Sequence, residues 1–178
     1  EKLDWINHEH LRVLSEKEQQ NYVLSFIPEK IKNLNGYSEE IVKKITPIIT
    51  ERIKKGIDIN EMSENGDLDY YFLDPNYDKE SLFFKSSKIE GDRAKILASY
   101  LEKANTILSE IKDEDFTRDI KESLWPYAEE VGRGDLLWPI RYALSGADKS
   151  PDPFYLAEIL GKEKTTKRVD NAIKILKS

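Results

Sequence analysis

The chain has no cysteine, two histidines, one methionine, and no apolar run approaching the roughly 20 residues that a membrane span needs. The missing cysteine excludes a disulfide framework and a thiolate zinc site, and it fits a reducing cytoplasm, the expected location. The two histidines, His8 and His10, flank Glu9. Positions i and i+2 of a helix do not share a face, and the HExxH spacing that aims two imidazoles at one zinc is missing. No metal site is expected, and His10 is read as packing or hydrogen-bonding at the core edge. The GxSxG elbow and the GxxxxGK[ST] and GxGxxG phosphate loops are also absent. Asp113, Glu114 and Asp115 are adjacent in a charged turn, with no apolar pocket implied to raise a pKa. No catalytic residue is therefore assigned to this chain.

What the chain does have is length and charge. Its 178 residues can bury a core as one domain or as two small ones, and 35% of them are charged. The acidic, amphipathic opening EKLDW does not fit a secretory leader. The first residue is Glu1 rather than Met, so the chain is read as a piece of a longer protein. The net charge of −6 argues at first against nucleic acid, but it is unevenly spread: −3 over residues 1–29, +4 over 30–55, −9 over 56–129 and +2 over 130–178. A face built from the two basic islands could approach RNA. Ordinary solvated helix faces would explain the same charges.

Periodicity predicts helices and no strands. Leu3, Ile6, His10 and Leu14 fall at near-helical spacing, and Ser15 to Glu18 fits a capping box ahead of a helix that turns Tyr22, Val23, Phe26 and Ile27 inward. Ser38 is placed to cap a helix with the stripe Ile41, Val42, Ile45, Ile48, Ile49 and Ile53, in which Pro47 predicts a kink or a break. Residues 56–77 lose the period and cluster Tyr70, Tyr71 and Phe72, which are read as core because Asp67, Asp69 and Asp74 would repel phosphate. Helices follow at about 90–111, at about 117–131 with a bend at Pro126, and at about 162–176 with Val169, Ala172, Ile173 and Leu176 inward. On this last helix Lys164, Lys167 and Arg168 are read as solvent-facing. No stretch repeats at a fixed interval, so the chain is all-α and not a solenoid.

The most informative stretch runs from Leu136 to Gly161. It reads as two short helices and a stiff corner: Asp135 capping the first, Gly146 ending it left-handed, Ser150 capping the second with Pro151 at its first position, and Gly161 closing it. Unpaired N–H groups at that second helix, beside Arg141, would offer a place for phosphates or base edges. The segments Pro139-Ile140-Arg141-Tyr142-Ala143-Leu144-Ser145-Gly146, Ser150-Pro151-Asp152-Pro153-Phe154, Leu160-Gly161-Lys162-Glu163 and Lys167-Arg168-Val169 resemble the C-terminal anticodon-binding region of bacterial-type glutamyl-tRNA synthetases. The opening Lys2 to Arg12 is similar to the segment that follows that family's catalytic portion, so the resemblance brackets the chain.

The resemblance implies an all-α architecture of two packed helical subdomains, an anticodon-binding helical cage, divided here at 1–56 and 57–178. It implies a tRNA anticodon-recognition module of a glutamate–tRNA ligase, with the anticodon loop of tRNA(Glu) as partner. The module would position the tRNA for ATP-dependent glutamylation by an upstream catalytic part. The HIGH and KMSKS signatures of that part are absent from this sequence. ATP and Mg are thus expected there and no cofactor here, with neither DNA nor a membrane as partner, and the molecule as a monomer. A helical protein-interaction module without RNA binding is the alternative. By position, the arginine of the pattern falls on Arg141, which could instead pair with a helix carboxylate. The loop contacts fall on Ser150 and Pro151, with Pro153 at a third contact position where relatives often carry leucine. Trp138 stands where some relatives carry a polar side chain, and it could stack on a base or fill the core. Lys43 stands where some use an arginine to read the first anticodon base, and lysine cannot reproduce a bidentate grip.

Overall fold

A computed structural model of the chain describes residues 9–178. No strand occurs among them, as the all-α reading requires. Leu3, Trp5, Ile6 and His8 lie outside the described residues. Residues 9–13 are helical, and there Leu11 is the buried side chain while His10 is exposed, not at the core edge.

The chain divides into two units, one ending at Leu73 and the other beginning at Asp74. In the first, α1 (Glu16–Phe26) starts with the expected capping box: the Ser15 hydroxyl accepts from the Glu18 amide, and the Glu18 carboxylate accepts from the Ser15 amide at 2.8 Å. After the single turn α2 (Glu29–Lys32), Ser38 caps α3 (Glu39–Arg52), whose Val42, Ile45 and Ile49 are fully buried. Each such aliphatic side chain stabilises the fold by about 1.5–3 kcal/mol.

Of the expected kink or break at Pro47, the break does not occur: α3 continues through Pro47. Pro47 removes only its own donor to the carbonyl four residues back, that of Lys43, and both residues are exposed, so water can fill the gap. The buried hydroxyls of Thr46 and Thr50 donate back to the carbonyls of Val42 and Thr46.

The unit does not end at residue 56 as expected. In α4 (Asp58–Glu64) the side chain of Ile59 is fully buried, and the Ser63 carbonyl accepts from Lys30 at 2.9 Å. Gly36 sits so close to the Phe72 carbonyl that any Cβ would overlap it. Tyr70, Tyr71 and Phe72, in and after a 3-10 turn, are buried, so the aromatic cluster is core.

The second unit contains α5 (Arg93–Glu110), α6 (Phe116–Val131), α7 (Arg133–Ser145) and α8 (Pro153–Lys177). Asp92 caps α5, two residues inside the expected start. α6 continues through Pro126, again at an exposed position. Gly132, at φ 103°, stops α6 and begins α7, so α7 starts ahead of Asp135, which lies in its first turn instead of capping it. Gly161 (φ 78°, ψ 169°) breaks α8 where the sequence places a stop.

The largest departure is Arg168. It is 2% exposed and not solvent-facing. Its position explains this: Thr165, Arg168, Val169, Ala172 and Leu176 recur at spacings of one, three and four, and all are buried.

Burial also governs two tyrosines of this unit. Loss of solvent pushes the hydroxyls of Tyr77 and Tyr127 up to about 12. An unfolded tyrosine ionises near pH 10, so between about pH 10 and 12 the unfolded chain binds fewer protons than the folded one. Stability is therefore expected to fall as pH rises through that window, by about 2 kcal/mol per tyrosine at its top. Following tyrosinate absorbance beside helical circular dichroism checks this, because these two ionisations should accompany the loss of helix.

Candidate nucleic-acid interface

The corner between α7 and α8 is built by three local rules. α7 ends at Gly146 in the left-handed region (φ 65°, ψ 16°), with its amide donating to the Tyr142 carbonyl at 2.7 Å. On the same helix Trp138 and Arg141, three residues apart, share a face, as do Arg141 and Ser145 at four. The third rule sets the start of α8. Both Ser150-Pro151 and Asp152-Pro153 satisfy the pattern of a capping residue followed by proline. The structure uses the second, so the cap expected at Ser150 lies two residues later. Oδ1 of Asp152 accepts from the amides of Phe154 and Tyr155 at 3.0 and 3.1 Å, and Pro153 occupies the first helical position. Phe154, Leu156 and Ala157 are thereby turned into the core.

This corrects one expectation of the corner's chemistry. The first amides of α8 are taken by the carboxylate of Asp152, so the helix N-terminus is not open to a phosphate. Pro153, a candidate contact, is buried, whereas Pro151 is half-buried and Asp148 and Lys149 are exposed.

Ser150, released from capping, has another role. Nη1 of Arg141 donates to the Ser150 hydroxyl and to the Asp148 carbonyl, both at 3.0 Å. The Ser145 hydroxyl donates to the Arg141 carbonyl at 2.9 Å, accepts from the Ala147 amide at 3.2 Å, and lies 3.1 Å from the Ser150 hydroxyl. Arg141 forms no ion pair among the described residues, so the carboxylate pairing is not what holds it. Its guanidinium lies 4.5 Å from the centre of the Trp138 ring.

Trp138 is half-buried and closely held. Its indole N–H donates to the Ser81 carbonyl at 3.0 Å, and its ring packs against Phe84 and Tyr142, both at 6.0 Å. Phe84 also lies over Gly134, where any Cβ would strike its ring. The indole is thus a fixed shelf for the arginine.

One end of the Arg141 fork is anchored and the other is not. Nη1 is spent on the loop, while Nε and Nη2 have no protein partner among the described residues. Their N–H groups form a planar, permanently charged edge suited to a carbonyl pair, a phosphate or the edge of a base. The structure brings Trp138, Arg141, Ser145 and Ser150 together. Lys43 lies exposed on α3 of the other unit. Sequence reasoning missed Asp152 and Ser145, although an Asp-Pro step and a serine four residues after an arginine on one helix were both visible.

A family model described as the anticodon binding domain matches residues 10–173. The chain is 28% identical over 184 residues to glutamate–tRNA ligase 2 of Thermoanaerobacter pseudethanolicus, covering 97% of this chain and 34% of that protein. It is 32% identical over 183 residues to the glutamate–tRNA ligase of Flavobacterium johnsoniae, covering 99% and 32%. Among solved structures, a glutamate tRNA ligase from Elizabethkingia meningosepticum, in complex with its amino acid, matches with a TM-score of 0.69 and 25% identity over 97% of this chain and 32% of that one. The chain thus spans about a third of the length of the curated relatives it matches.

Proposed function

The chain belongs to the anticodon-binding domain family, and from that premise we propose that it is the part of a glutamate–tRNA ligase that holds the anticodon loop of tRNA(Glu). The observation that carries this reading is the half-anchored fork of Arg141, clamped by Asp148 and Ser150 on one nitrogen, stacked on Trp138, and open along Nε and Nη2. A splayed base of a single-stranded loop presents carbonyl and ring-nitrogen acceptors on its edges, and a guanidinium already fixed in place meets them without losing further rotamer freedom.

In this reading Ser150 and Pro151 shape the loop that lies beside the bound base. Trp138 supports Arg141, and Pro153 acts through the backbone it sets. Lys43 supplies a point charge to a phosphate. The glutamylation step, with its ATP and Mg, belongs to a part of the ligase outside this chain, and the whole acts as a monomer in the cytoplasm. Anticodon contact would serve that step by positioning the acceptor end.

The test is a titration of the 178-residue chain into an RNA hairpin bearing the glutamate anticodon loop, beside a hairpin with the same stem and an altered loop. The expected result is a preference for the first and a Kd that rises steeply with salt, because lysine and arginine contacts release counterions from phosphates. Indifference to the loop sequence, the outcome for a helical protein-interaction module, would overturn the reading.

A further inference from the structure

The reading edge of Arg141 is only as well placed as the end of α7, and that end is held from a direction the corner itself does not reach. Residues 74–77 run beside it. Pro75 lies where a Cβ on Gly146 would come within 2.8 Å, and the Tyr77 ring meets Tyr142 edge-on at 5.7 Å. Between these two points of α7 lies the Leu144 carbonyl. It belongs to the last turn of the helix, where carbonyls have no intrahelical donor, and it accepts from Nη1 of the buried Arg168 at 2.6 Å. Arg168 is in turn oriented by Asp74, whose carboxylate accepts from its Nε at 3.3 Å and from Nζ of Lys167 at 2.9 Å. Tyr142, Leu144 and Gly146 are thus each gripped by the 74–77 segment or by the arginine that Asp74 orients.

A fully buried arginine is costly to desolvate and could be replaced by an apolar residue with little loss of stability if packing were its only task. It caps the helix turn that carries Arg141 and Ser145. Resting on the RNA-binding reading above, we infer that Arg168 is a positioning residue for anticodon recognition: through the Leu144 carbonyl, and set by Asp74, it fixes the end of α7 so that Arg141 presents its open edge to the RNA.

A double-mutant cycle on the 178-residue chain tests this, with Kd for the glutamate anticodon hairpin as one readout and the thermal midpoint as the other. R168Q is expected to raise Kd about tenfold in the wild-type background and by less than about twofold in the R141A background, because its effect passes through Arg141. R168K, which keeps one donor for the Leu144 carbonyl, is expected to recover part of the loss. Should R168Q fail to fold, D74N carries the same cycle, since it removes the group that orients Arg168 and leaves the guanidinium in place. A lowered midpoint with unchanged Kd, or equal effects of R168Q with and without Arg141, would make Arg168 a purely structural residue and overturn the inference. An unchanged Kd for R141A itself would overturn the RNA reading, and this inference with it.

Discussion

Replacing Arg141 by alanine is expected to raise the Kd for a hairpin bearing the glutamate anticodon loop by ~10- to 100-fold, the cost of losing one charged hydrogen-bonding group worth about 1.5–3 kcal/mol. The same change removes two bonds to the loop and a cation–π contact, all at a half-exposed site, so the fold should lose only about 1 kcal/mol. The disproportion between the two effects is the signature of a recognition residue. R141K sharpens it. An ammonium on a flexible stem can reach the Asp148 carbonyl or an RNA acceptor, but it lacks the second planar edge that lets arginine do both. Lysine should therefore restore the stability and little of the affinity. Titrations of the three proteins at one fixed salt concentration, with melting curves alongside, distinguish this from a general effect of positive charge, which lysine would preserve.

The second large effect is expected at Gly146. Valine there must adopt φ 65°, a left-handed conformation that costs a non-glycine residue roughly 1–2 kcal/mol and a β-branched one more. Its Cβ would also stand 2.8 Å from Cβ of Pro75, in a ring that cannot swing aside. Gly146→Val should destabilise the second unit by about 2–4 kcal/mol and weaken RNA binding by displacing the turn between Arg141 and Ser150. Gly91 provides the control. It also has positive φ, 83°, but nothing lies within 4 Å of a Cβ built on it, so Gly91→Ala meets backbone strain without the collision. If chemical denaturation found the two substitutions equally costly, the packing of residues 74–77 against the corner would be contradicted.

Part of the corner was legible in the sequence. Gly146 was, because a glycine after a helical period is a local signal and the left-handed turn it permits needs nothing from the rest of the chain. The capping box at Ser15 and the cap at Ser38 were legible for the same reason. The start of α8 was not. Ser150-Pro151 and Asp152-Pro153 satisfy one rule two residues apart, and the choice falls to whichever register buries Phe154, Leu156 and Ala157. That choice changes the chemistry, since Asp152 then fills the amide site that a phosphate was expected to use, and Ser150 turns to Arg141. The two interior prolines do not interrupt their helices. Pro47 and Pro126 both stand at exposed positions, where water can reach the carbonyls left without a donor.

Arg168 marks the limit of reading a helix by residue type. Its spacing from Thr165, Ala172 and Leu176 put it on the inner face, but charge argued for solvent, and only a neighbouring carboxylate and an unpaired helix-end carbonyl could reverse that. Neither partner is near in sequence: Leu144 lies 24 residues away and Asp74 lies 94. By itself the sequence determined the all-α class, most of the helices and the left-handed end of α7, because each rests on periodicity or on the conformational freedom of one residue. Only the tertiary structure decided where the first unit ends, which proline opens α8 and which arginine is buried, because those outcomes depend on hydrogen-bond and packing partners that the chain brings together from far along its length.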